Sequence, residues 1–345
     1  MTHATGIHLS VLDIAPVWRG STPAQALRDT LALAPEVERL GYRRYWVAEH
    51  HNAPSIASSS PPMLAGQIAA RTSTISVGSG GVLLPNHAPL VVAEQFGLLE
   101  ALYPDRVDLG LGRASGTDPL TAGALRRSAF PPADFGEQID ELEVYFAPQP
   151  PGGPEPAVVA VPAPGNRPRI WVLGSSPASA LLAASRGLPY AFAHHIAPDL
   201  AVPALRLYRR EFRPSPVLER PYAIVAASVV VADTDERARR LIRPMTITGI
   251  ELRTTGRAGP LYPPDQAEKY VFSPAEREMA AQSHGRHLVG SPGTVAERIT
   301  ELLAATGADE LMALTNVQDP QERLRSFEHL TRIVPLITPT AAEAV

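Results

Sequence analysis

Short apolar runs of strand length alternate along the chain with longer stretches whose apolar residues recur every three or four positions. That alternation predicts parallel β-α-β units. Strands are expected at 7–14, 44–49, 75–80, 107–112, 170–174, 190–194, 223–231 and 310–315. Helices are expected between them, at 23–40, 62–72, 90–102, 135–146, 178–186, 200–212 and 235–247, with a final pair near 294–305 and 321–335. The first helix carries Leu27, Leu31, Ala34 and Val37 on one stripe, as an amphipathic helix requires. Pro35 lacks an amide hydrogen and predicts a kink or a late start there. Eight such units suit a closed (β/α)8 TIM barrel, expected as one domain over residues 1–345.

Two segments interrupt the alternation. Residues 148–168 are proline-rich and are expected as an extended surface excursion. Residues 253–287 are longer and polar and contain Pro263, Pro264 and Gly285, so they predict an insertion near strand seven of the kind that serves as a lid.

With 45% apolar and 19% charged residues the chain has material for a large core. Disorder is excluded on that balance. Basic residues number 31 and acidic ones 35, a net charge of −4, and Lys269 is the sole lysine. No basic run offers a surface to nucleic acid or to a membrane. The opening residues lack the pattern of a secretion signal. The longest apolar run, 223–232, is about half of the roughly 20 residues that a bilayer span needs. A soluble, cytoplasmic protein is therefore expected. The absence of cysteine removes thiolate catalysis, disulfides, iron–sulfur clusters and cysteine zinc sites.

In a β/α barrel the chemistry sits just after each strand. Strand two is followed by Glu49-His50-His51-Asn52, where an imidazole pair supplies either a base with an orienting partner or plain capping groups. Gly78-Ser79-Gly80-Gly81 follows strand three and reads as a close backbone approach to a ligand or as a bulge. Asn86-His87 is read as a helix cap. Gly110 and Gly112 suggest a dinucleotide fingerprint whose third glycine is missing, while Arg113 suits a phosphate or a rim carboxylate. Gly174-Ser175-Ser176-Pro177-Ala178-Ser179 runs into a helix and offers either an anion site or an N-cap. His194-His195 makes a second pair, and four histidines raise the possibility of a metal hydrolase. The H-x-H pattern of such barrels is missing from strand one, where His8 stands alone, and no metal is expected.

These stretches resemble the bacterial luciferase-like flavin monooxygenase superfamily, in its stand-alone oxidoreductase class. The matching segments are LSVLDIAPV (9–17), the run through EHHNAPSIASSSPP (42–62), ISVGSGGVLLPNHAPLVVAEQF (75–96), PDRVDLGLGRASGTD (104–118), IWVLGSSPASALLAASRGLPYAFAHH (170–195), and HLVGSPGTVAERI followed by GADELM. The resemblance implies a barrel that binds reduced FMN at its C-terminal face and oxygenates a small organic substrate with O2. His50 takes the position of the catalytic histidine, and His51 helps shape the pocket. Ser79 and Gly80 match the place of a non-prolyl cis peptide under the flavin ring. Arg113, Ser175, Ser176 and Ser179 match the phosphate-binding region, with Gly174 where luciferase carries a glutamate. A separate flavin reductase, a homodimer and a mobile lid at 253–287 are implied as well. An F420-dependent oxidoreductase of the same superfamily and a non-catalytic flavin-binding protein are the alternatives.

Overall fold

The computed structural model describes residues 7–114, 118–125, 134–149, 156–284 and 286–336. Parts of the opening segment, of the 104–118 match and of the 148–168 and 253–287 excursions, Gly285 included, lie outside the described residues.

Among the described residues nine parallel strands form: β1 (His8–Asp13), β2 (Arg44–Val47), β3 (Ser76–Leu83), β4 (Val107–Gly112), β5 (Arg169–Gly174), β6 (Tyr190–Ala193), β7 (Ala223–Val231), β8 (Leu288–Gly290) and β9 (Glu310–Leu314). Each of β1 to β6 pairs with the next, β7 pairs with β6 and β9, and β9 returns to β1. Eight strands thus close a TIM barrel. The short β8 lies outside the ring, beside Val229–Val231 at the end of β7, and was not expected from the sequence. Three residues between a polar segment and a helix give too brief a period-two pattern to stand out.

The helices are α1 (Pro23–Arg39), α2 (Pro61–Ala69), α3 (Pro89–Leu102), α4 (Pro119–Ala124), α5 (Phe135–Phe146), α6 (Pro177–Ser185), α7 (Ala201–Glu211), α8 (Asp235–Thr255), α9 (Pro264–Lys269), α10 (Pro274–His284), α11 (Pro292–Thr306) and α12 (Pro320–Ile333). Helix α1 begins at Pro23 and includes Pro35, so the late start does not occur. Its buried stripe of Ala26, Thr30, Leu33, Ala34 and Val37 supplies packing that outweighs the one lost amide bond. None of the described helices is long and apolar enough to cross a membrane.

Alternation along the strands divides the core in two. Outward residues such as Val11, Val47, Val77 and Leu109 pack against the helices. Inward residues, among them Leu12, Trp46, Trp171, Ile224 and Met312, fill the barrel. Beneath them Arg44 is buried and bonds Asp108 at 2.7 Å and Glu310 at 3.1 Å. Asp108 also accepts from the indoles of Trp46 (3.0 Å) and Trp171 (3.1 Å), and Glu310 from Ser10 and Tyr222. Burial opposes the charge on Arg44, but the two carboxylates outweigh it and raise its pKa.

Both excursions depart from expectation. The described part of the first is not purely superficial, because Ala160 and Ala163 are fully buried. Gly97 of α3 makes the room, since a Cβ there would lie 2.5 Å from the Ala163 Cα. The second begins as a continuation of α8, which runs eight residues past its expected end and stops at Gly256 in the left-handed conformation, a frequent helix terminator. Helices α9 and α10 follow. The guanidinium of Arg243 bonds the carbonyls of Ala267 and Tyr270, both at 2.7 Å. Leu261 exchanges backbone bonds with Val17 and Arg19, which fastens this excursion to the exit of β1.

Candidate functional site

A cavity of about 350 Å3 opens at the C-terminal end of the barrel, where this fold carries its chemistry. Leu12, Trp46, Ala226 and Met312 form its floor, and Trp171 stacks edge-on to Trp46 at 5.2 Å. One wall is bare backbone, made by Gly80, Gly81 and Gly112 of β3 and β4. A Cβ on Gly81 would lie 2.7 Å from the backbone carbonyl oxygen of Gly110, so only glycine fits. The peptide between Gly80 and Gly81 is cis, one residue beyond the Ser79–Gly80 position to which the resemblance pointed.

His50 lines this cavity directly after β2. Its loop is fixed from two sides: the His50 amide donates to the Ser58 carbonyl at 3.0 Å, and the buried Ser58 hydroxyl donates to the Ala48 carbonyl at 2.5 Å. Burial lowers the pKa of His50, and the nearby His195 lowers it further. The ring is therefore neutral at pH 7 and able to accept a proton.

Across the barrel, after β6, His195 lines the same cavity. Its amide and its Nδ1 both meet the Ala226 carbonyl, at 3.1 and 2.9 Å. His194 is buried elsewhere and does not line the cavity. Burial, with His195 beside it, lowers its pKa to about 4.

That shift predicts a pH dependence of stability. The unfolded chain takes up a proton at His194 near the ordinary value, 6.5, whereas the folded chain resists it until about 4. Stability is thus fully present above pH 6.5 and declines as the pH falls towards 4, by at most about 1.4 kcal/mol per pH unit for this one proton. Urea denaturation at pH 7.5 and pH 5 measures the decline. His194→Gln is expected to flatten it, and an unaltered slope would assign the dependence to other groups.

Glu49 is the residue that sequence reasoning passed over. Its buried carboxylate accepts from His51 Nε2 and His87 Nε2, both at 2.8 Å, and from the Leu83 amide at 3.0 Å. Burial alone would raise its pKa, but the bonds from His87, Leu83 and His51 bring it below the ordinary value. His87, read as a cap, is thus a partner of Glu49. His51 is turned to the same carboxylate and does not line the cavity. Nothing in the spacing of Glu49 and His87, 38 residues apart, announces that contact.

At the mouth stand Arg113, which is exposed, and Ser175 and Ser176 at the start of α6. Ser176 occupies the N-cap position, yet its side chain caps no amide. Gly174 precedes them for a steric reason: a Cβ there would lie 1.9 Å from the Ser179 Oγ. Ser179 also reaches the cavity, but its hydroxyl is engaged by the Ser176 carbonyl at 2.7 Å and the Tyr190 hydroxyl at 2.9 Å. Ser79 is buried away from the cavity and bonds both the amide and the carbonyl of Gly110. The structure therefore gathers His50, Gly80, Arg113, Gly174, Ser175, Ser176 and Ser179 around one space, and leaves His51 and Ser79 behind its walls.

Comparison with known proteins agrees with this architecture. A luciferase-like monooxygenase of Escherichia coli K12 is 46% identical over 329 residues, covering 95% of this chain and 97% of its own. The crystal structure of apo-MsnO8 superposes with a TM-score of 0.86 at 39% identity, over 98% of this chain and all of its own. The oxygenating constituent of 3,6-diketocamphane monooxygenase from Pseudomonas putida, a type II Baeyer–Villiger monooxygenase solved with FMN, shares the fold at 22% identity and a TM-score of 0.71, with 96% and 98% covered. Residues 7–310 match the luciferase-like monooxygenase family, and the chain belongs to that family.

Proposed function

We propose that this protein is a flavin-dependent monooxygenase that takes reduced FMN from a separate reductase and uses O2 to oxygenate a small, largely apolar substrate. The observation that carries the reading is the division of labour within one cavity. A side-chain-free glycine wall faces apolar residues, two imidazoles stand inside, and hydroxyls and a guanidinium stand at the mouth.

These residues fit FMN. The Gly80–Gly81 wall admits a flat ring against backbone, because no Cβ projects from it. The Ser176 hydroxyl, which caps no amide and makes only a long contact of 3.5 Å to the Ser179 hydroxyl, the helix start behind it and Arg113 suit a phosphate at the mouth. When bound, the flavin would supply the electrons and the site of oxygen activation. The protein's own part is to hold the ring, to exclude water with Leu12, Leu173 and Met312, and to move a proton at His50. FMN bound by a protein of the same fold supports the cofactor assignment.

Anaerobic titration with oxidised FMN, dithionite-reduced FMN and F420 tests the reading, followed by mixing with oxygen. Tight binding of reduced FMN and subsequent oxygen consumption are expected. Binding of F420 alone would move the protein to the dehydrogenase branch, and binding of none would end the proposal.

Arg113→Ala is expected to weaken FMN roughly 10- to 150-fold more than riboflavin, since a charged hydrogen bond contributes about 1.5–3 kcal/mol. Riboflavin lacks the phosphate and serves as the control. Equal losses for both ligands would remove Arg113 from phosphate binding.

A further inference from the structure

The second cavity histidine has a tautomer that the structure fixes. A carbonyl oxygen only accepts, so the bond between His195 Nδ1 and the Ala226 carbonyl places the ring proton on Nδ1. Burial disfavours a second proton on this ring, although the same carbonyl bond partly opposes that effect. Nε2 is left with a free lone pair. The backbone amide of His195 bonds the same carbonyl, which holds the ring's base in place, while the residue lines the cavity between Ala193 and Ala226.

His50 is a second imidazole on this cavity, but among the described residues no hydrogen bond fixes which of its ring nitrogens carries the proton, and the serine hydroxyls stand at the mouth and donate as well as accept. Arg113 only donates. The Glu49 carboxylate is already met by two imidazoles and an amide. His195 therefore presents a neutral acceptor at a set place in a largely apolar space. Oxidised and reduced flavin differ in just the property such a group detects. The dihydro ring carries N–H at N5, where the oxidised ring carries a lone pair. An acceptor beside the ring gains a hydrogen bond with the first and meets lone-pair repulsion with the second.

On the flavin reading given above, we propose that His195 Nε2 accepts a hydrogen bond from the reduced flavin ring and thereby gives the cavity its preference for dihydroflavin over oxidised flavin. This is a binding role, separate from proton transfer at His50.

The test compares dissociation constants for oxidised and dithionite-reduced FMN, measured anaerobically on the native protein and on His195→Phe and His195→Gln. The Phe variant keeps a ring without nitrogen, and the Gln variant keeps an acceptor of similar reach. His195→Phe is expected to cut the preference for reduced FMN about tenfold, and to lower the midpoint potential of bound FMN by about 30 mV, the equivalent for a two-electron couple. His195→Gln is expected to retain most of both. An unchanged ratio in the Phe variant, or a Gln variant that falls as far as Phe, overturns the proposal. Should circular dichroism show the Phe variant unfolded, His195→Met takes its place under the same criteria. Native protein that binds neither form of FMN would instead refute the flavin reading itself.

Discussion

His50→Ala is expected to bind FMN within a few-fold of the native protein and to lose product formation by about 10²- to 10⁴-fold, the usual contribution of a positioned acid or base. The cavity explains the separation. Among the described residues no hydrogen bond joins the His50 ring to the glycine wall, Arg113 or the serines at the start of α6, so the affinity they confer is expected to survive its removal. The proton function does not survive, because His51 is turned to Glu49 and cannot replace its neighbour. His195 follows β6, on the far side of the barrel from the β2 end that carries His50. Single-turnover mixing of the FMNH2-loaded variant with O2 and substrate, with product and hydrogen peroxide both quantified, reads the result. Oxygen should still be consumed and should leave as peroxide. Product formation equal to that of the native protein would take His50 out of the mechanism.

The barrel was legible because its signal is periodic and local. Each barrel strand was anticipated within a few residues, and α5 at both ends, since alternation and capping are written over ten to twenty positions. What escaped was decided by contacts between distant segments. Pro35 stays helical because α1 buries a stripe, and the proline-rich segment sinks two alanines because Gly97 lies opposite. The candidate site divides in the same way. Residues that follow strands, such as His50, Arg113 and Ser175, are found by position alone. Strand-end logic cannot say which of two adjacent histidines faces inward, however. The His50/His51 and His194/His195 pairs each split, one ring lining the cavity and one turned away. Glu49 stood in plain view beside His50, but its meaning depends on His87 and Leu83, which only the folded chain brings to it.

The largest expected effect on stability lies below the site rather than in it. Arg44→Met is expected to cost about 3–5 kcal/mol, the range for breaking a buried ionic group by removing one partner, against a total of about 5–15 kcal/mol for a typical native protein. Methionine fills much of the space, so lost packing is a minor part. The cost arises because Asp108 and Glu310 remain inside the barrel. Arg169, half in solvent and 3.3 Å from Asp108, is the cation left beside them. Their remaining donors, the two indoles, Ser10 and Tyr222, are neutral and cannot balance two negative charges. Urea denaturation at pH 7 of the native protein, Arg44→Met and the double variant Arg44→Met/Asp108→Asn reads the cost, and the double variant, which strands one carboxylate fewer, is expected to lose less than the single one. An equal loss in the two variants would mean that shape, not charge, made Arg44 necessary. Because Trp46 forms the cavity floor and bonds Asp108 through its indole, the single variant should also weaken FMN binding at a temperature where it is still folded, linking the barrel's buried charges to the ligand space above them.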